Sequence, residues 1–165
     1  MATLKDREQA KVGQALVLSC MDLRVVDDVV KYLNETLKLE NEFDLVAMAG
    51  ASLGASTPLK PHWQALFWDH VDLAIGLHQV KEVIIVEHQD CGAFKAFDAP
   101  ESRRAIHGTD DEAKQALEEQ AHKETALALR EAILQRKAGV IQEVRLLYAA
   151  ANAHDPLKFD VRPFR

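Results

Sequence analysis

From Ala15 to Cys20 the chain reads ALVLSC, an apolar run set off by Gly13 and short enough for one buried strand. Val25, Val26, Val29, Val30, Leu33 and Leu37 then recur at helical spacing. Asp27 and Asp28 fall in that helix's first turn, where the helix dipole favours acids. A second strand, FDLVAMAG (43–50), runs into the small-residue stretch AGASLGAS. That stretch lacks G-x-G-x-x-G and reads as a loop, a close-approach turn between strand and helix. A helix beginning near Pro58 or Pro61 follows. Its apolar stripe comprises Trp63, Leu66, Phe67, His70, Val71, Ala74, Ile75 and His78.

EVIIVEH (82–88) is apolar on both faces, as a central parallel strand should be. Residues 98–111 are polar and irregular. Thr109 and Glu112 have the spacing of a capping box for a long helix that stops near Gly139. VRLLYAA (144–150) predicts a fourth strand. LKFDVRPF (157–164) predicts a short edge strand, kept from the centre by Pro163.

Strands alternating with helices define an α/β fold: a mainly parallel sheet of four to five strands flanked by helices, in one domain over 1–165. Ligands of such sheets bind at the carboxyl ends of strands where the strand order reverses. Cys20 ends the first strand; His88 and Cys91 end the third. In the order 2-1-3-4 these ends are neighbours and the three side chains converge. In the order 3-2-1 a strand would separate them.

Composition narrows the partners. The 165 residues are 48% hydrophobic and 28% charged, as in an ordinary soluble globular protein, and the net charge is -6. An acidic balance argues against nucleic acid, leaving a small molecule or another chain as partner. The polar N-terminus has no apolar core of a signal peptide, and the longest aliphatic runs are too short for a bilayer, so no membrane association and a cytoplasmic location are expected. The two cysteines of such a protein are free thiols, metal ligands or catalytic groups rather than a structural disulfide.

Zinc sites with an open position commonly carry three protein ligands, and Cys₂His is one such set. His88-x-x-Cys91 has a usual spacing for two ligands on a tight turn, with Gly92 able to let the backbone turn sharply and Cys20 as the third. The competing reading is two buried free cysteines and a core histidine. Two motifs, each at the end of a predicted strand, favour the metal.

C-x-D-x-R (Cys20, Asp22, Arg24) followed by H-x-x-C-G (His88, Cys91, Gly92) resembles the signature of the β-class carbonic anhydrases. DLAIGLHQVKEVIIVEHQDCGAF and AMAGAS are similar to that family's zinc loop and Ala-Gly turn, so the likeness covers roughly residues 15–95. The resemblance implies a short, divergent member in which Cys20, His88 and Cys91 hold zinc. It implies reversible hydration of carbon dioxide to bicarbonate by a zinc-bound hydroxide. Asp22, oriented by Arg24, accepts a hydrogen bond from that hydroxide, or alternatively binds zinc and closes the site. Activity should climb as pH rises above neutrality. The resemblance also implies a homodimer or larger homo-oligomer, here with an N-terminal arm of only about 14 residues. Two alternatives retain the zinc: hydrolysis of carbon disulfide or carbonyl sulfide, and a catalytically weak binding or structural module.

Several residues depart from the family. Met21 and Leu23 stand where small residues are usual, and strand alternation turns them into core packing. Glu87 replaces a glycine and is either a partner of His88 or solvated. Ala47-Met48 replaces an Arg-Asn pair. His70 and His78, on an apolar stripe, are expected to be satisfied core or interface histidines, while His107 is the better proton-shuttle candidate by exposure. Trp68, off the stripe, is an exposed residue suited to a dimer contact.

Overall fold

The computed structural model describes residues 13–98, 100–155 and 157–165; the expected N-terminal arm falls almost wholly outside them. Five strands, β1 (Ala15–Cys20), β2 (Phe43–Met48), β3 (Glu82–His88), β4 (Glu143–Ala151) and β5 (Phe159–Pro163), form one sheet in the order β2-β1-β3-β4-β5. The first four are parallel. β5 closes the far edge antiparallel to β4, and Pro163 pairs with Leu147 there. The expected order 2-1-3-4 is the observed one, so β1 lies directly against β3.

Alternate residues of the central strands serve two cores. Leu16, Leu18, Val83 and Ile85 pack on one face against the helices α3 (Pro61–His78) and α6 (Glu112–Arg136), through Phe67, Val71, Ala126, Leu129 and Ile133. Ala15, Val17, Ile84 and Val86 pack on the other against α1 (Val26–Glu35), through Val29 and Leu33. Burial on both faces is why the strands read as continuous apolar runs. Among the described residues no helix is long and apolar enough to cross a membrane.

Four local expectations are corrected. AGASLGAS is not all loop, since Ser52–Ser56 form a short helix, α2. The cap of α6 is Asp111 rather than Thr109: Asp111 Oδ1 accepts from the backbone N–H of Ala113 and Lys114 at 3.0 and 3.2 Å. Thr109 Oγ1 instead accepts from the N–H of Asp111. Residues 98–111 are less irregular than their polarity suggests, with Glu101–Arg104 forming the short helix α5. Trp68 is half-buried, edge-on to Phe67 and with the Arg136 guanidinium 4.4 Å from its ring centroid, so it belongs to the α3–α6 packing.

Candidate metal centre

The strand order decides what meets at the carboxyl edge of the sheet. Cys20 is the last residue of β1 and His88 the last of β3. The chain leaves His88 through a turn in which Asp90 takes a left-handed conformation, φ 60°. Cys91 then sits at the N-cap of α4 (Gly92–Phe97). The sharp turn expected at Gly92 is therefore made at Asp90, and aspartate tolerates that region better than most residues.

One donor atom from each of Cys20, His88 and Cys91 lies within 4.8 Å of the other two, and all three residues are buried. The sulfurs are 3.9 Å apart. Two thiolates at about 2.3 Å on a tetrahedral zinc would be about 3.8 Å apart. His88 Nδ1 donates to the Gln89 carbonyl at 2.9 Å, which fixes the ring and leaves Nε2 as the lone-pair nitrogen. That Nε2 is buried without a hydrogen-bond partner. An orphaned imidazole nitrogen beside two sulfurs at this spacing fits a zinc ion.

Gly50 seats the cluster from above. Its N–H donates to Cys20 Sγ at 3.4 Å, its φ is +77°, and a Cβ there would stand 2.9 Å from that of Ala93. The anticipated close approach after β2 is thus a contact with the Cys20 sulfur. The hydrogen bond from Cys91, with help from His88 and Gly50, pulls the Cys20 thiol well below its ordinary pKa, while that hydrogen bond, burial and the neighbouring charge push Cys91 up. Burial alone would lower His88; attraction to Cys20 and Asp22, with the bond to the Gln89 carbonyl, outweighs that, and its pKa is raised.

Asp22 and Arg24 flank the cluster without joining it. Arg24 Nε donates to Asp22 Oδ1 at 3.0 Å and Nη2 to Oδ2 at 2.7 Å, a two-pronged fork. The same guanidinium reaches Asp90, with Nη1 to Oδ2 at 2.8 Å and Nη2 to the carbonyl at 3.0 Å. Lys95 also pairs with Asp90. Arg24 therefore ties the β1 turn to the turn between His88 and Cys91. Its hydrogen bonds hold the Asp22 carboxyl down at about 2.

Met21 and Leu23 do not pack into the core; they are 64% and 89% exposed. β1 ends at Cys20, and the N–H of Val25 bonds the Asp22 carbonyl at 3.2 Å to close a turn, so strand alternation stops one residue too early. With Ala49, Gly92 and Ala93 these two side chains line an open cleft of about 420 Å³ over Cys20, Asp22 and Arg24.

Glu87 is neither solvated nor a partner of His88. It is buried, its Oε1 accepts from the N–H of Ser52 and its Oε2 from His122 Nδ1, both at 2.8 Å. His107 is buried as well, between Glu118 and Asp98, which removes it as an exposed shuttle. His78 pairs with Asp44 at 2.7 Å and His70 Nδ1 lies 2.8 Å from the Leu66 carbonyl, as expected of satisfied histidines. Asp90, Lys95 and Glu118 were missed by sequence reasoning. Asp90 carried the one available signal, lying inside H-x-x-C.

A family described as "Putative carbonic anhydrase" matches residues 10–131. The chain belongs to that family. Two curated relatives, both uncharacterized proteins, come from Rickettsia bellii (35% identical over 89 residues, 54% of each chain) and Rickettsia conorii (32% over 83 residues, 50% of this chain and 44% of the relative). The matched stretch spans about half the length of these relatives. Among solved structures, a tetrameric β-carbonic anhydrase of Sordaria macrospora aligns over 89% of this chain and 81% of its own, with TM-score 0.47 and 17% identity. A β-carbonic anhydrase of Aspergillus fumigatus aligns over 92% and 74%, with TM-score 0.44 and 14% identity.

Proposed function

We propose that the protein is a zinc-dependent carbonic anhydrase interconverting carbon dioxide and bicarbonate. The observation that carries this reading is the meeting of Cys20 Sγ, Cys91 Sγ and the partnerless His88 Nε2 under a cleft whose rim presents the Asp22–Arg24 fork. Cys20, His88 and Cys91 would hold the ion. Bound zinc supplies a Lewis acid that makes a water nucleophilic near neutral pH.

The other steps fall to side chains. Asp22, ionised throughout the working range, accepts the proton of the attacking oxygen in a hydrogen bond and fixes the direction of its lone pair. Arg24 keeps that carboxylate aimed through two bonds instead of one. Met21, Leu23, Ala49 and Ala93 make the cleft mouth apolar, which suits an uncharged linear substrate. The same walls favour a second reading in which carbonyl sulfide or carbon disulfide is the substrate.

Exposed Leu45, Leu73 and Leu77 flank the open edge at β2, and assembly into a homodimer or larger homo-oligomer through them is part of the reading, as is a cytoplasmic location. The test is zinc content together with stopped-flow carbon dioxide hydration, using Cys91→Ser and Asp22→Asn as controls. About one zinc in this site, hydration that rises above neutral pH, and loss of the zinc in Cys91→Ser are expected. Zinc without hydration, but with hydrolysis of carbonyl sulfide, selects the second reading. No zinc in metal-replete protein ends both.

A further inference from the structure

We propose that His107, Glu118 and His122 form a second metal site, for a divalent first-row transition ion such as zinc, and that it is separate from the cysteine cluster. One donor atom from each lies within 4.8 Å of the other two, and all three side chains are wholly buried. Glu118 and His122 are i and i+4 on α6 and so share a face, while His107 reaches them from the segment after α5.

Each histidine already has its other nitrogen on a buried carboxylate. His122 Nδ1 donates to Glu87 Oε2 at 2.8 Å, and His107 Nε2 lies 3.2 Å from Asp98 Oδ2. Carboxylates that hold the distal nitrogen of an imidazole are the usual outer support of metal-binding histidines. The nitrogens left over are His107 Nδ1 and His122 Nε2. His107 Nδ1 stands 3.3 Å from Glu118 Oε1. That is long for a charge-assisted hydrogen bond, typically about 2.7–2.9 Å. It matches the roughly 3.3 Å between two ligands at about 2.0–2.1 Å on a tetrahedral ion.

His122 Nε2 is buried with no hydrogen-bond partner. The Phe94 ring, 3.6 Å from the His122 ring centroid to centroid, restrains the imidazole against swinging away.

The surroundings of the cluster suit a cation. Glu87, Glu118 and Asp98 put three carboxylates below the surface, and Arg103 offsets one through its 3.2 Å contact with Asp98. Two of these carboxylates, Glu118 and Glu87, meet the cluster directly, and carboxylates buried without a cation or hydrogen bonds are costly. A divalent ion would offset them and turn the orphaned His122 Nε2 into a ligand. Glu118 has lone pairs to spare while its oxygens accept from the N–H groups of Asp90 and Gly108, at 2.7 and 3.3 Å. A site this enclosed would be loaded as the chain folds.

The test is a metal count that does not depend on activity. Protein unfolded and stripped of metal under reducing conditions is refolded with excess zinc, desalted and assayed by plasma mass spectrometry. Wild type should carry about two ions, Cys91→Ser about one, and Glu118→Gln and His122→Gln about one each. One ion in wild type and none in Cys91→Ser would overturn the proposal, as would two ions surviving in both histidine-cluster variants. One ion in wild type and in Cys91→Ser, lost in Glu118→Gln, would keep this site and remove the cysteine site. Cobalt refolded into the wild type covers variants that fail to fold. Its second equivalent should add d–d absorption without further sulfur-to-metal charge transfer, and saturation at one thiolate-bound equivalent would overturn the second site.

Discussion

Glu118 Oε1 accepts the backbone N–H of Asp90 at 2.7 Å, joining the interior of α6 to the second of the two residues between His88 and Cys91. A fully buried carboxylate thus holds a left-handed backbone position beside two proposed zinc ligands. Glu118→Ala leaves that amide without its acceptor. The expected cost is about 1–3 kcal/mol of unfolding free energy, with Asp90 amide exchange accelerated more than that of the β3 core. Urea melts with exchange mass spectrometry measure both, and unchanged exchange at Asp90 would refute the linkage.

Asp22 should give stability a definite pH dependence. Its folded pKa, about 2, lies below the ordinary 3.8, so the contribution is complete above about pH 4 and lost as pH falls through 2. Arg24 is 38% exposed, and solvent screening limits the effect to about 1 kcal/mol. Asp22→Asn should therefore be less stable than wild type at pH 7, the gap shrinking through pH 2 and closing only below it. A constant gap across that range would assign the loss to packing.

Gly50→Ala combines a positive φ with a Cβ 2.9 Å from that of Ala93. The expected destabilisation is about 1–3 kcal/mol, with weaker zinc retention because the backbone shift that relieves the clash carries the residue-50 N–H away from the Cys20 sulfur. Chelator competition on the purified variant reads the second effect separately from the first.

Removing Glu87 strands two partners at once. Glu87→Ala leaves the Ser52 N–H and His122 Nδ1 unpaired in the interior, and a loss of about 2–4 kcal/mol follows. Glu87→Gln, which keeps an acceptor for one of them, should fall between the two. Equal melting temperatures for all three proteins would disprove this role.

Leu73→Lys adds charge to an apolar face beside the open β2 edge. If that face joins copies, the variant should sediment as a smaller species than wild type at the same concentration. Its circular dichroism should be unchanged.

The strands and their order were readable because buried parallel strands are runs of Val, Ile and Leu, and because Cys20 and His88 had to be neighbours for their motifs to make sense. Met21 and Leu23 were misjudged by extending strand alternation past the last paired residue. Glu87, His107 and Glu118 escaped for another reason. Polar residues normally mark solvent, and only three-dimensional pairing shows that these partners sit 35 and 11 positions apart. Gly50 was legible as a close approach; that it approaches a sulfur was not.

The pairing of β1 with β3 also sets an order of events in synthesis. Cys20 emerges from the ribosome long before His88 and Cys91. The parallel ladder that aligns them closes only after the whole crossover through β2 and α3 has been made. Such long-range pairing is slow to form. Until then the first cysteine is a lone thiol on an unfinished sheet. Complete capture of the ion would therefore report that this part of the chain has reached its native topology.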